Sequence, residues 1–230
     1  MTVLNRLRAI LWDFDGTIVF FNFDAAGMRS EVFGFLQSNG YELPQDGVWR
    51  SVFQTVLDAK DFLLSQGNAP ADVAALGRQV EEIINTYEVA GNDGARLVPG
   101  IVDVISEAST AGLKQAIITL NRSENVRTIL ERFQLMNYFE TIAGRDNAPK
   151  LKPDPIHVQY LLELLEVQAG SCILIGDHPN DMETAQNAGV RFIAVTTDRH
   201  SAEEFGDGAT YIVSQDHMED LLPIIRELSS

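Results

Sequence analysis

In the stretch LWDFDGTIV, residues 11–19, an apolar run meets two aspartates and breaks at a glycine. Asp13 and Asp15 are two residues apart, so in an extended chain both carboxylates point to one face. Like charges held that close repel unless a cation or a shared proton relieves them. The plain alternative is a strand running out into a turn, for which Asp and Gly are ordinary residues. A second acidic pair lies in LIGDHPNDMETAQNAG, 174–189, with Asp177 ending an apolar strand and Asp181 four residues on at a helix start. Carboxylates converging from a strand end and a helix start suit a hard cation such as Mg²⁺, which takes few protein oxygens and keeps waters for a substrate to displace. Asp181 would also serve as a helix cap. KLKPDP, 150–155, carries Lys150 and Lys152, two of only four lysines, and Lys152 is followed by proline. It either brings one fixed positive charge or is a solvated surface lysine. IITLN, 117–121, ends a strand at Thr119, where a hydroxyl and the backbone N–H groups of Leu120 and Asn121 could grip phosphate oxygens.

Those clusters need elements to bring them together. Residues 8–12, 115–119, 140–144, 172–176, 192–196 and 210–213 are short apolar runs that read as strands. Helix-like stretches alternate with them near 100–111, 123–134, 155–167, 181–188 and 217–228, which predicts α/β architecture with a mainly parallel sheet. Pro99 just inside the first of these helices and Gly189 just past the fourth are expected start and stop signals. From about 19 to 95 no strand is evident. Helices are expected instead over 24–37, with Asp24 as N-cap, over 49–64, and over 73–87. The expected organisation is a core of residues 1–18 and 96–230, interrupted by a helical cap of residues 19–95. Open α/β sheets bind ligands at the carboxyl edge, where such an insertion would act as a lid.

Composition narrows the partners. The chain has 230 residues, 45% of them apolar, and a formal net charge of −16. That charge argues against nucleic acid and against anionic membrane surfaces, since both need a basic patch. An anionic substrate would be repelled at long range, so its site must be locally re-signed by a metal or a few cations. The single cysteine, Cys172, sits in the apolar run SCILIG and reads as a buried structural thiol. The first residues do not read as a secretory signal, and no apolar run is long enough to span a bilayer. A cytoplasmic protein is expected, with monomer or homodimer left open.

Taken in order, these residues resemble the haloacid dehalogenase superfamily. DFDGT (13–17) matches its first motif, Thr119 its second, Lys152 its third and GDHPND (176–181) its fourth, while LVPGIVDVI (97–105) resembles the segment that re-enters the core after an early cap. The resemblance implies a Rossmann-like sheet with the first strand central and a C1-type cap. It implies Asp13 as nucleophile, Asp15 as general acid/base, and Thr119 and Lys152 as phosphoryl-binding groups, with Leu120 and Asn121 beside them. Mg²⁺ would be held by Asp13, the Asp15 backbone carbonyl and Asp177, with Asp181 assisting.

Within that superfamily, dehalogenases lack the second aspartate, so Asp15 argues against their chemistry. Phosphonate hydrolases use a cap lysine to form an imine, whereas Lys60, mid-helix in LDAKDFL, reads as a solvated surface charge. Hexose-phosphate mutases often carry an apolar residue where Thr17 stands. The implied function is Mg²⁺-dependent hydrolysis of a small phosphorylated metabolite, similar to phosphoglycolate phosphatases, through an aspartyl-phosphate. A phosphotransferase with the same residues, or a non-catalytic phosphate-binding protein, are the alternatives. Phe20, Asn22, Arg29, Trp49 and Arg50, with Asn121 and Arg122, are candidates to read the leaving group.

Overall fold

The computed structural model describes residues 6–44 and 51–230. It divides into two compact units, one of residues 1–21 and 95–230 and the other of residues 22–94. The chain opens with β1 (Ala9–Trp12), buried throughout. Its side chains alternate between two cores, Ile10 and Trp12 in one and Ala9 and Leu11 in the other. A strand apolar on both faces belongs inside a parallel sheet that is covered on both sides.

After a turn at 16–18 comes β2 (Val19–Phe20), then three helices, α1 (Ala25–Ser38), α2 (Val52–Ser65) and α3 (Pro70–Asn92). β3 (Arg96–Leu97) follows and pairs antiparallel with β2, Val19 against Leu97. This ribbon corrects the expectation of no strand between 19 and 95. Two residues are too few for an alternating pattern to be visible.

Thereafter helices and strands alternate as α4 (Ile101–Thr110), β4 (Lys114–Ile118), α5 (Ser123–Arg132), β5 (Thr141–Ala143), α6 (Ile156–Leu165) and β6 (Cys172–Gly176). The chain ends with α7 (Pro179–Ala188), β7 (Arg191–Thr196), α8 (Ala202–Phe205), β8 (Tyr211–Ser214) and α9 (Leu221–Leu228). Six of the strands form one parallel sheet in the order β5-β4-β1-β6-β7-β8. The first strand is central, as the resemblance implies. The chain winds one way from β1 to β4 and β5 and the other way through β6, so β1 lies where the winding reverses. In open α/β sheets ligands bind at such a reversal, in the crevice outside the carboxyl ends of the strands.

Local signals set the helix ends. Asp24 caps α1 by accepting the Gly27 N–H at 2.8 Å, and Gly189 closes α7 with φ 68°. Pro99 falls outside α4 rather than inside it, because Gly100, with φ 79°, is the residue that turns into the helix. In the helical unit, Met28, Val32 and Leu36 of α1 pack with Val56 and Ala59 of α2 and with Val80 and Ile84 of α3. α3 runs beyond the expected 73–87 at both ends, with Pro70 at its start. The expected helix over 49–64 begins at Val52, and Trp49 and Arg50 lie outside the described residues. Among the described residues no helix is long and apolar enough to cross a membrane.

Candidate active site

β1 ends at Trp12, and the next residue, Asp13, stays in register by donating its N–H to the Ile175 carbonyl at 2.8 Å. Asp13 is 5% exposed. The chain then turns sharply. Gly16 has φ 93°, and a Cβ there would run into the carboxylate of Asp177. Only glycine fits both demands. Gly176, the last residue of β6, meets Asp181 in the same way. Gly16 thus lets the two acidic stretches approach each other, and Gly176 makes room for Asp181 within the second.

The carboxylate oxygens of Asp13, Asp177 and Asp181 lie within 4.8 Å of one another. Asp181 sits in the first turn of α7, but the N-cap is His178, which accepts the Asn180 N–H at 3.0 Å through its Nδ1. Asp181 completes the cap from the third helical position, where its Oδ2 accepts the His178 N–H at 3.1 Å. Reading Asp181 as the N-cap therefore misplaces it by three residues, because His178 also has a side-chain acceptor. Lys152 reaches in from the loop before α6. Its Nζ lies 2.6 Å from Asp13 Oδ1 and 2.6 Å from Asp181 Oδ1, and it also donates to the Ile118 carbonyl at 3.3 Å. Lys152 is buried and Lys150 is exposed, so the surface-lysine alternative fits Lys150 alone.

The charges are unbalanced. Burial, followed by the repulsion of Asp181, raises the Asp13 carboxyl to about 7 against the opposing pull of Lys152. Burial and then repulsion by Asp13 and Asp181 push Asp177 up to about 8. Burial works against the Lys152 ammonium, but attraction to Asp13 and Asp181 outweighs it and its pKa is raised. One lysine does not neutralise three carboxylates. The excess of hard oxygen donors fits a divalent cation, which would favour their charged forms. Asp15 is half-buried in the same turn, and its carboxylate is not part of the three-carboxylate cluster.

Thr119 continues β4, donating its N–H to the Ala143 carbonyl at 3.0 Å, and its Oγ1 accepts the Asn121 N–H at 3.0 Å. The Asn121 Nδ2 and the Thr17 Oγ1 are buried with no hydrogen-bond partner among the described residues. A donor left in that state at a strand's carboxyl end is a place for a ligand oxygen. The loop after β5 braces this segment. Arg145 donates its backbone N–H to the Asn121 carbonyl and its Nη1 to the Leu120 carbonyl, while Asp146 accepts the N–H and hydroxyl of Ser123 at the start of α5.

Other sequence candidates sit in ordinary surroundings. The Arg29 guanidinium lies over the Phe33 ring at 4.5 Å, and Arg122 reaches Glu124 at 4.0 Å. Phe20 packs against the larger core, and Asn22 is exposed. Lys60 lies across Gly77 of α3. Cys172 is fully buried and burial pushes its thiol up to about 12, which removes it from nucleophilic chemistry. The bracing residues Arg145 and Gln215 escaped the sequence analysis. Gln215 donates its side-chain amide to the Gly16 carbonyl. Arg145 lies in a loop with no motif of its own, and Gln215 follows the last strand, 199 residues from its partner.

Comparison with known proteins agrees with this geometry. The haloacid dehalogenase-like hydrolase family matches residues 10–195. A phosphoglycolate phosphatase of Caulobacter vibrioides is 31% identical over 199 residues, covering 85% of this chain and 83% of its own. One from Vibrio parahaemolyticus is 25% identical over 228 residues, covering 95% and 96%. Among solved structures, CbbY from Rhodobacter sphaeroides in complex with phosphate is 25% identical with a TM-score of 0.61, covering 92% of this chain and 96% of that one.

Proposed function

The chain belongs to the haloacid dehalogenase-like hydrolase family, and we propose that within it the protein is a phosphatase of small phosphomonoesters, with phosphoglycolate the first candidate. The observation that carries this reading is the meeting of Asp13, Asp177 and Asp181 with a buried lysine shared by two of them. The names of the relatives above support the choice of substrate.

Asp13 is the nucleophile. Its Oδ1 is held by Lys152, which leaves the other oxygen to attack phosphorus while the bond to the leaving oxygen breaks. Asp15, two residues on, delivers its proton to that oxygen and then takes one from the water that attacks the aspartyl-phosphate. The second attack breaks the phosphorus–Asp13 bond and frees inorganic phosphate. The Lys152 ammonium, the Thr119 hydroxyl, the Leu120 N–H and the unpartnered Asn121 side-chain amide face the charge that develops on the phosphoryl oxygens. Mg²⁺ would be held by Asp13, Asp177, Asp181 and the Asp15 carbonyl, and would supply further neutralisation of that charge.

The test is phosphate release from a panel of phosphomonoesters that includes phosphoglycolate, with Mg²⁺ and with chelator, for wild type and Asp13→Asn. Turnover that needs the metal, is lost in Asp13→Asn and ranks phosphoglycolate high is the expected result. Consumption of ester without equivalent phosphate would favour the phosphotransferase alternative. Silence across the panel would overturn the reading.

A further inference from the structure

The turn that carries Asp15 is fixed from outside the motif. Gly16 is held at three points. Its N–H donates to the Val19 carbonyl at 2.8 Å, its bare Cα lies against the Asp177 carboxylate, and its carbonyl accepts the side-chain amide of Gln215. The first two holds belong to the motif and its acidic neighbour. The third comes from the far edge of the sheet, where Gln215 opens a short 3-10 segment, Gln215–Asp220, directly after β8.

That segment is a firm anchor. Met218 is fully buried in the core that also holds Ile10 and Trp12, and the Ser214 hydroxyl accepts the Asp216 N–H at 3.3 Å. The same segment packs against Gly100, where a Cβ would touch Glu219 and Met218. A side chain fixed on such a platform transmits a definite position to whatever it binds. The Gly16 N–H lies in the peptide plane that begins at Asp15 and its C=O in the plane that continues to Thr17, so the two holds together fix both torsions of Gly16 and with them the turn that carries Asp15.

We propose that Gln215 is a positioning residue for Asp15. By holding the Gly16 carbonyl it sets the direction from which the Asp15 carboxyl delivers its proton to the leaving oxygen. This rests on the role given to Asp15 under the proposed function. Gln215 touches no reacting atom. Its effect depends on how much the leaving group needs a proton. An alkoxide leaves only as its oxygen is protonated, whereas p-nitrophenolate leaves unaided.

The experiment compares kcat/KM, which reports the phosphorylation step, for an alkyl phosphomonoester and for p-nitrophenyl phosphate in wild type, Gln215→Ala and Gln215→Glu. Gln159→Ala, on the exposed face of α6, is the control. General acid catalysis supplies about 10²–10⁴-fold, so misdirecting the acid without removing it is expected to lose about tenfold on the alkyl ester and less than about twofold on the aryl ester. Gln215→Glu, which puts an acceptor against a carbonyl, should behave like Gln215→Ala. Amide hydrogen exchange across residues 14–20 should quicken at least about tenfold in both variants and not in the control. Equal losses on the two esters would show a merely structural role and overturn the proposal, as would unchanged exchange. If wild type hydrolyses neither ester, the phosphatase reading itself falls. Exchange alone then decides whether Gln215 fixes the turn.

Discussion

Replacing Lys152 by methionine probes the charge balance of the site most directly. The Nζ lies 2.6 Å from a carboxylate oxygen of Asp13 and 2.6 Å from one of Asp181, and the lysine and aspartate side chains are each under a tenth exposed. Methionine keeps the length and apolar stem but removes the charge and its donors. Deleting one partner of a buried ion pair costs about 3–5 kcal/mol, because the remaining charge is left uncompensated. The loss must depend on pH. Burial already raises the Asp13 carboxyl to about 7 in the intact site, with Lys152 pulling the other way. A carboxyl raised on folding contributes most to stability at low pH, and that contribution is lost as pH climbs towards the folded value. Without Lys152 the Asp13 value rises further, so the variant keeps losing ground from Asp13 above pH 7, where the Asp13 share of the loss in wild type is complete. At pH 5 Asp13 is neutral in wild type too, and one of the lysine's two charge partners is gone. Urea unfolding in chelator should show a deficit of about 3–5 kcal/mol at pH 8, and one at least about 1 kcal/mol smaller at pH 5. Equal stability at pH 8, or the same deficit at both pH values, would refute the reasoning.

Asp177→Asn should act in the opposite direction. Burial and the neighbouring carboxylates push Asp177 up to about 8, so the cation-free wild type loses stability as pH rises from the unfolded carboxylate value of about 4 towards 8. The amide keeps the shape without the charge. In chelator at pH 8 the variant should be more stable by about 1–3 kcal/mol, and the rise in melting temperature that Mg²⁺ gives wild type should vanish. A variant less stable than wild type under those conditions would show that Asp177 is not held against repulsion. His157 predicts the acid limb. Burial lowers it to about 4, and its Nε2 donates to the Ala143 carbonyl at 3.1 Å. Its contribution is complete above the unfolded value of 6.5 and is lost as pH falls from there to about 4, by up to about 3 kcal/mol. His157→Gln keeps a donor and removes the titration, so stability measured against pH should flatten by that amount over that window. An unchanged slope would assign the acid limb elsewhere.

The sheet was legible because its strands are short apolar runs between helical patterns, and each core strand lies within two residues of the expected run at either end. The ribbon of Val19–Phe20 with Arg96–Leu97 was not, since its pairing is long-range and too short to leave a period. Asp13, Asp177 and Lys152 were visible as types that chemistry needs at strand and loop ends. Their mutual distances were not, because no local pattern encodes the approach of two loops. Gly16 did carry that information in part, as a residue without a Cβ where the Asp177 carboxylate must come close. Gln215 and Arg145 left no trace. Each acts through a backbone carbonyl, and any residue can supply one, so neither partner constrains the other's identity in the sequence.

The acidic composition and the acidic site answer to one argument. A chain of net charge −16 presents a field that repels anions, and three converging carboxylates make the crevice worse, not better. Lys152 offsets part of that locally, yet Asp13 and Asp177 are still raised to about 7 and about 8. Three carboxylates against one ammonium favour a hard cation over a phosphate, since their net attraction is for the cation and their net repulsion for the anion. The repulsion among the carboxylates would drive uptake of such a cation, and the cation would re-sign the crevice for the proposed phosphoester. On the proposed function, substrate binding would then be conditional on the metal by electrostatics alone, before any step of chemistry begins.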